Sequence, residues 1–496
     1  MEVVGYLPFQ AFPPKRKEKD SPTFNQFLRQ RGELSRLKSI NGFHQIFRKT
    51  SAENTSVMKY DREYIDGSLL DSDAQRKSDE VVDIVFQPLY GTCRIFEQYE
   101  ITYDGTKSPG VPYVWMGCRT KLQAVRKFLS HAEYFWYNAH KLDIPVFWRV
   151  SGKEEMLPIE KTSVDDIRTF MFPPWTYHFY GYRMYDMQNE MFKNKLWSPM
   201  WPFFVGFDKH HGGYNRLAEI LNRFDFKREG DSRRWDASMA QLLFDTVKRV
   251  RWNMYIPSCQ TPENKQRHDY FYKNIVFSLL LMATGQVLRK KGGNPSGSPN
   301  TTYDNCMGHL KVKAYSYFRT FPDHEPLDFL TKVFSAMYAD DYLDAMLRSI
   351  ASTWTHEAAI RGYAEWGVVL KPNHVESENL NGLTFLGCAF EHHESDGWVP
   401  VFPRERALCA LRWNARKYGV YDDLIIAESM YREAFYTSER NFFRDYMIYC
   451  RDKVLTDVSR TQSLERCPLR LRGQIISLIH GLPSEKEVSK GYTGYE

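Results

Sequence analysis

The stretch "SAMYADDYLDA", residues 335–345, decides how the rest of this chain is read. Asp340 and Asp341 stand side by side after Tyr338 and Ala339, between apolar flanks. The pattern predicts a tight turn between two short strands with a doubled carboxylate at its tip. Hard oxygen donors held in such a place suit a divalent cation, although a capped turn is the plainer reading. A two-metal phosphoryl-transfer site needs carboxylates from at least two separate segments, holding ions about 3.5–4 Å apart.

A second segment, "REGDSRRWDASMAQ" (228–241), offers one. Asp231 closes an apolar-flanked run, and Asp236 follows just ahead of a helical pattern. If the chain turns from strand to helix between them, the two cannot serve one metal. Asp231 pairs naturally with Asp340, supported by Asp341, and Asp236 is left to touch another part of a substrate or to cap the helix. One ion at such a site lowers the pKa of an attacking 3′-hydroxyl, and the other clamps a triphosphate.

In "KKGGNPSGSPNTTYDNCMGHL" (290–310), Gly292, Gly293, Pro295 and Gly297 make a flexible loop before a helix-compatible run. Thr301 and Asn305, four apart, share a face of that helix. Small polar groups are poor core material, so with Ser296 they point to a polar ligand. In "SGKEEMLPIEKTSVDDIRTFMFPP" (151–174), Lys153, Lys161 and Arg168 recur among acidic neighbours. They suit a path for an incoming triphosphate or a plain charged surface.

Bulk properties fit an ordinary folded chain of two to four structural units: 496 residues, 43% apolar and 15% aromatic, which excludes global disorder. A net charge of +6 is compatible with a nucleic-acid partner without requiring one. The eight cysteines show no C-x-x-C pair and read as reduced, mostly buried thiols of an intracellular protein without structural zinc. The apolar run "IVFSLLLMATGQVL" (275–288) is too short and interrupted to span a bilayer, so no integral membrane segment is expected. No secretory signal opens the chain: the first twenty residues are apolar before they are basic and, with Pro13, Pro14 and Lys15-Arg16-Lys17, read as an extended arm.

Helical periodicity marks 120–142 and 238–255, and β-like runs fall at 144–150, 334–339, 366–370 and 383–390. Residues 60–80 read as a loop or exposed helix. The chain from about 400 reads as helical, up to a polar tail after Pro483. The aromatic segments 131–142 and 173–188 read as core rather than as stacking platforms for single-stranded RNA. The pairs His210-His211 and His392-His393 lack partners at zinc spacing.

In order and spacing these segments resemble the RNA-dependent RNA polymerases of positive-strand RNA viruses, in the picornavirus-like group. The resemblance covers roughly residues 105–390, with phrasing closest to astrovirus-like enzymes in "GGNPSGSPNTTYDN" and "GGYNRL". Motif A of that family, D-x4-D, is matched by Asp231 and Asp236, motif B by Ser296, Gly297, Thr301 and Asn305, and motif C by Asp340 and Asp341. Lys153, Glu155, Lys161 and Arg168 fit the basic motif F, which implies triphosphate binding. "SPGVPYVWMG" (108–117) resembles motif G and implies that Ser108 and Gly110 lie beside the template; "LTFLGCAF" (383–390) resembles the primer-grip hairpin. Ala339 departs from the usual glycine. For motif D, which usually offers a general-acid lysine, "GVVLKPNHVES" offers Lys371, with His374 as the alternative.

The resemblance implies an α+β right-hand fold with a small antiparallel palm sheet and an enclosed channel. Fingers with the N-terminal arm would span 1–190, palm 191–245, a fingers insertion 246–290, palm again 291–397, and a helical thumb 398–496. It further implies Mg2+, with Mn2+ as a substitute, at Asp231, Asp340 and Asp341. The partners would be RNA template and product duplex and nucleoside triphosphates, with other viral replication proteins or a protein primer as candidates, in host-cell cytoplasmic replication complexes. The rival activity is reverse transcription, because Tyr-Ala-Asp-Asp is common in those enzymes. There, however, a bulky aromatic usually lies under the sugar, where this chain has Asp236. Asp236 and Asn305, helped by Ser296 or Thr301, are implied to bind the ribose 2′-hydroxyl, with Trp235 packed away from it. A non-catalytic RNA-binding protein of the same fold would be expected to have lost a metal carboxylate, and all are present.

Overall fold

The structure, a computed structural model, describes residues 1–7, 20–40, 42–45, 50–153, 156–164, 167–413, 418–461, 467 and 469–494. Its organising element is the strand Phe226–Arg233, central in an antiparallel sheet. Asp341–Met346 lies along one side of it and Val333–Tyr338 beyond; Val369–Leu370 and Val375–Ser377 pair along the other side. Val333–Tyr338 and Asp341–Met346 form a hairpin whose two-residue turn is Ala339-Asp340. Ala339 takes a positive φ of 58°, as short hairpin turns require. A Cβ in that region costs about 1–2 kcal/mol that glycine would not.

Both faces of this sheet are covered, which explains the nearly continuous apolar run. Ala336, Leu343 and Ala345 pack with Phe204, Leu217 and Phe385. Met337, Tyr342 and Met346 join the main core on the other face. There the helix Thr301–Thr320 lies almost wholly buried. Its Lys313 reaches the buried Asp344 of the hairpin, and its Asp304 accepts from Arg251 Nε at 2.7 Å. Arg251 also donates to Gln188 Oε1 (3.1 Å) and Asn189 Oδ1 (3.2 Å).

A second sheet has the order Glu2–Tyr6, Gln286–Arg289, Leu279–Leu281, Phe147–Gly152, Thr169–Phe172. It joins the chain start, residues near 150–170 and residues near 280 into one unit. The C-terminal helices Arg404–Arg412, Val420–Glu433, Arg440–Thr461, Leu469–His480 and Glu485–Thr493 follow. Their separate core takes in Phe24, Phe27 and Leu28 of the N-terminal helix Pro22–Gln30. Ser21 fastens this contact, donating to Asp423 Oδ1 at 3.1 Å.

Three expectations change. Residues 72–86 form a helix that buries Val81, Val82, Val85 and Phe86, so it is not an exposed one. The tail after Pro483 folds as the helix Glu485–Thr493, because Ser484 and Glu487 make a reciprocal capping box and Val488 and Tyr492 are buried. The start of the chain is not simply an arm, since Glu2–Tyr6 pairs with Gln286–Arg289; Pro13, Pro14 and Lys15-Arg16-Lys17 lie outside the described residues. Phe135, Trp136, Tyr177, Tyr180 and Tyr185 are core, as their segments suggested. All eight cysteines are free, and all but Cys259 are buried. Among the described residues, no helix is long and apolar enough to cross a membrane.

Candidate active site

A cleft of about 1200 Å³ opens between the carboxylate hairpin, the segment with Met156–Pro158, Lys161, Ile167 and Arg168, and the helix Arg404–Arg412. Asp231, Asp236 and Asp340 line it together with Lys59, Lys161, Arg168, Lys371 and Arg406. Sheet register sets the carboxylates: Asp341 lies directly opposite Asp231 on the neighbouring strand, and Asp340 occupies the turn beside them. The helix Thr301–Thr320 clamps this turn. His309 bonds the Ala339 carbonyl through Nδ1 at 2.7 Å, and Cys306 Sγ accepts from Ala339 N–H at 3.3 Å. Burial pushes His309 down to about 3, so the ring is neutral, and Tyr363 Oη lies 3.0 Å from its Nε2. Trp235, fully buried, packs at a tilt against the same imidazole, ring centroids 4.6 Å apart.

The carboxyls repel one another. Although Asp340 meets the solvent of the cleft, the surrounding protein pushes it up to about 7, and the charges of Asp236 and Asp231 add to the rise. Burial likewise raises Asp341 to about 6, helped by Asp231 and Glu229 and opposed by the Leu386 N–H, which donates to it at 2.8 Å. Anionic oxygens that repel each other in this way favour a hard cation. Among the described residues, no three His, Cys, Asp or Glu side chains form a ready cation cage. Asp231 is ion-paired to Lys371, and Asp341 accepts from the Leu386 N–H. The donors therefore fit a divalent ion of the kind that takes one or two carboxylates and completes its shell with water and substrate phosphates.

Asp236 does not cap its helix. The short helix Trp235–Ser238 starts from Arg234, at φ 58°, and Asp236 lies within its first turn. Its Oδ1 accepts from Asn305 Nδ2 at 2.6 Å. Burial raises the Asp236 carboxyl, against the Asn305 bond and the charges of Lys59, Arg168 and Lys153. Of the other loop residues, Thr301 donates to Pro295 O at 2.6 Å, and Ser296 Oγ accepts from Met171 N–H at 3.4 Å. Gly297 lies so close to the Met171 carbonyl that a Cβ would collide with it. These three shape the loop, whereas Asn305 reaches Asp236.

Two residues with no assigned role hold that loop. Lys290 is fully buried and donates to the carbonyls of Ile275, Val276, Gly292 (2.9 Å) and Gly293 (2.6 Å). Asn294, also fully buried, donates through Nδ2 to Asn305 Oδ1 at 3.0 Å. Lys59, Arg234 and Arg406 also line the cleft, and the sequence motifs do not mark them. Arg234 stood inside the quoted "DSRRWD", but Lys59 and Arg406 come from segments with no local signal.

The remaining candidates divide. Lys371 enters the cleft, whereas His374 stacks on His356 at 3.8 Å and leans toward Glu376. Lys153 acts on Asp236 through its charge. Glu155 lies outside the described residues. Ser108 and Gly110 do not line the cleft; Gly110 is buried, and a Cβ there would meet Pro173 O at 2.5 Å.

The sequence profile described as viral RNA-dependent RNA polymerase matches residues 57–453. Non-structural polyprotein 1AB of Turkey astrovirus 1 is 24% identical over 405 residues, covering 79% of this chain and 24% of the relative. The corresponding polyprotein of Ovine astrovirus 1 is 26% identical over 367 residues, covering 71% and 25%. Genome polyprotein 1 of Barley yellow mosaic virus is 26% identical over 297 residues, covering 58% and 12%. The chain thus spans about a quarter or less of the length of these relatives.

Proposed function

This chain belongs to the viral RNA-dependent RNA polymerase family, and from that membership we propose that it copies an RNA template into RNA by nucleotidyl transfer. The observation that carries the choice of sugar is the bond between Asn305 and Asp236, in the cleft that also holds Asp231 and Asp340. A carboxylate acceptor and an amide donor side by side are the partners that a ribose 2′-hydroxyl needs. A site built for a hydroxyl leaves its own polar groups unpaired with a deoxynucleotide, a penalty that reaches about 10⁴–10⁵ in the most selective cases.

Asp231, Asp340 and Asp341 would hold Mg2+, with Mn2+ as a substitute. When bound, these ions offset the negative charge of the phosphates and acidify the attacking 3′-hydroxyl. Lys59, Lys161 and Arg168 line the cleft near Asp236 and bind the triphosphate as cations. Lys371, ion-paired to Asp231 and lining the same cleft, would give a proton to the departing pyrophosphate.

We assign the second sheet, with segments 1–190 and 246–290, to fingers. The carboxylate sheet, with 191–245 and 291–397, is palm, and 398–496 is thumb. The packing of Pro22–Gln30 on the C-terminal helices supports an enclosed channel, with fingers tied to thumb. Ser108 and Gly110 are template-side candidates on the resemblance alone. The relatives are named as polyproteins of RNA viruses, and we place this chain likewise in host-cytoplasm replication complexes, beside other replication proteins or a protein primer.

A primed RNA template offered NTP and dNTP side by side tests the proposal. NTP incorporation should exceed dNTP incorporation by at least about 10²-fold; parity or reversal would restore the reverse-transcription reading. Asp236→Ala should then shrink that preference by about 10- to 100-fold, since it strands a buried partner, with template affinity little changed. An unaltered ratio would confine Asp236 to a structural role.

A further inference from the structure

We propose that Asn294 is a positioning residue for sugar selection, holding the Asn305 carboxamide with its NH2 end toward Asp236; the proposal rests on the polymerase reading above. Asn305 faces Asp236 with a donor only if its amide is the right way round. The two ends of an amide are nearly the same size, so shape alone does not decide between them. Hydrogen bonding does. Asn305 Nδ2 donates to Asp236 Oδ1 at 2.6 Å, and Asn305 Oδ1 accepts from Asn294 Nδ2 at 3.0 Å.

The orientation of Asn294 is itself fixed by backbone. Its Nδ2 also donates to Thr301 O at 3.3 Å, and its own N–H donates to Asp236 O at 2.7 Å. A backbone carbonyl cannot turn over. Turning the Asn294 amide would set its oxygen against Thr301 O, and turning Asn305 would set an oxygen against Asp236. Polarity thus passes in one sense, from the Thr301 carbonyl through Asn294 and Asn305 to the carboxylate. Lys290 and two glycines place the start of this relay. The Gly292 and Gly293 carbonyls are held by Lys290 Nζ, and both glycines take positive φ, 111° and 74°.

The relay matters most when a nucleotide binds. Once Asp236 turns its oxygens to a 2′-hydroxyl, its hold on Asn305 weakens, and Asn294 becomes the remaining restraint on the amide. Asn294 Oδ1 is buried without a hydrogen-bond partner among the described residues. Replacing Asn294 by an apolar residue of similar size therefore removes one unmet acceptor along with the useful donor. The cost falls on selectivity more than on folding.

The test is steady-state extension by Asn294→Leu, with kcat and KM measured separately for NTP and dNTP. We expect kcat/KM for NTP to fall about tenfold, the effect of one buried hydrogen bond, with dNTP use and Tm little changed. In an Asn305→Leu background, adding Asn294→Leu should change the ratio no further. Asn294→Ala, which cannot overpack the site, should repeat the loss. Equal losses for both sugars, additivity with Asn305→Leu, or an unchanged ratio in both Asn294 variants would overturn the proposal. Wild type that prefers dNTP, or makes no RNA, would instead sink the polymerase reading beneath it.

Discussion

Asp340→Asn is expected to lower primer extension on RNA with Mg2+ by roughly 10³-fold or more. Asp340 sits in a two-residue turn clamped through Ala339 by His309 and Cys306, so the exchange of carboxylate for carboxamide leaves its position intact. What is lost is an anionic oxygen at the junction of Asp231 and Asp341. Retained extension would remove Asp340 from the metal assignment. The same variant separates activity from stability. The Asp340 and Asp341 carboxyls stand at about 7 and about 6 in the folded chain, above the roughly 3.9 of an unfolded aspartate. The folded state therefore binds more protons than the unfolded one from about pH 4 to 7, and metal-free stability falls as pH rises through that window. In EDTA at pH 8, Asp340→Asn should accordingly melt above wild type, with the gap narrowing toward pH 5.

The second large effect is on folding. Asp304→Leu should cost about 3–5 kcal/mol, because it leaves the Arg251 guanidinium buried without its carboxylate. That is a large share of the roughly 5–15 kcal/mol available to a typical domain. The pair fastens the helix Thr301–Thr320 to Gln241–Asn253, and Gln188 and Asn189 of a third helix bond the same guanidinium. Arg251→Met with Asp304→Leu should recover much of the loss, since no charge is then stranded. Denaturant midpoints of wild type and the two variants decide it; an Asp304→Leu loss under about 1 kcal/mol would show that the pair does not hold the helices together.

What the sequence made legible follows from the range over which each signal acts. The hairpin turn at Ala339-Asp340 was readable because strand period and turn chemistry are local; Asp231 was read as closing its run, whereas its strand continues to Arg233. Asp236 and Asn305 were paired only through motif resemblance, 69 positions apart. Lys59 and Arg406 were illegible, since nothing beside them in the chain marks a cation that enters a cleft made by distant segments. Asn294 was hidden among glycines and a proline that read as loop. The helix Ser72–Phe86 was misjudged because its buried ridge begins with Ala74, Lys77 and Ser78, before the valines. Lys77 tolerates that place by donating to Pro322 O at 2.6 Å. The final helix announces itself in Ser484 and Glu487, a signal that overall polarity conceals.

Asp236 and the Ala339 carbonyl are both held from the helix Thr301–Thr320. Asn305 and His309 are successive turns of one stiff rod, the first facing the Asp236 carboxylate, the second holding the turn that bears Asp340. A tilt of that rod moves both at once. On the proposed roles, sugar choice and extension rate are thereby geared together: a substitution that tilts the rod should change the NTP-over-dNTP preference and the rate as a pair.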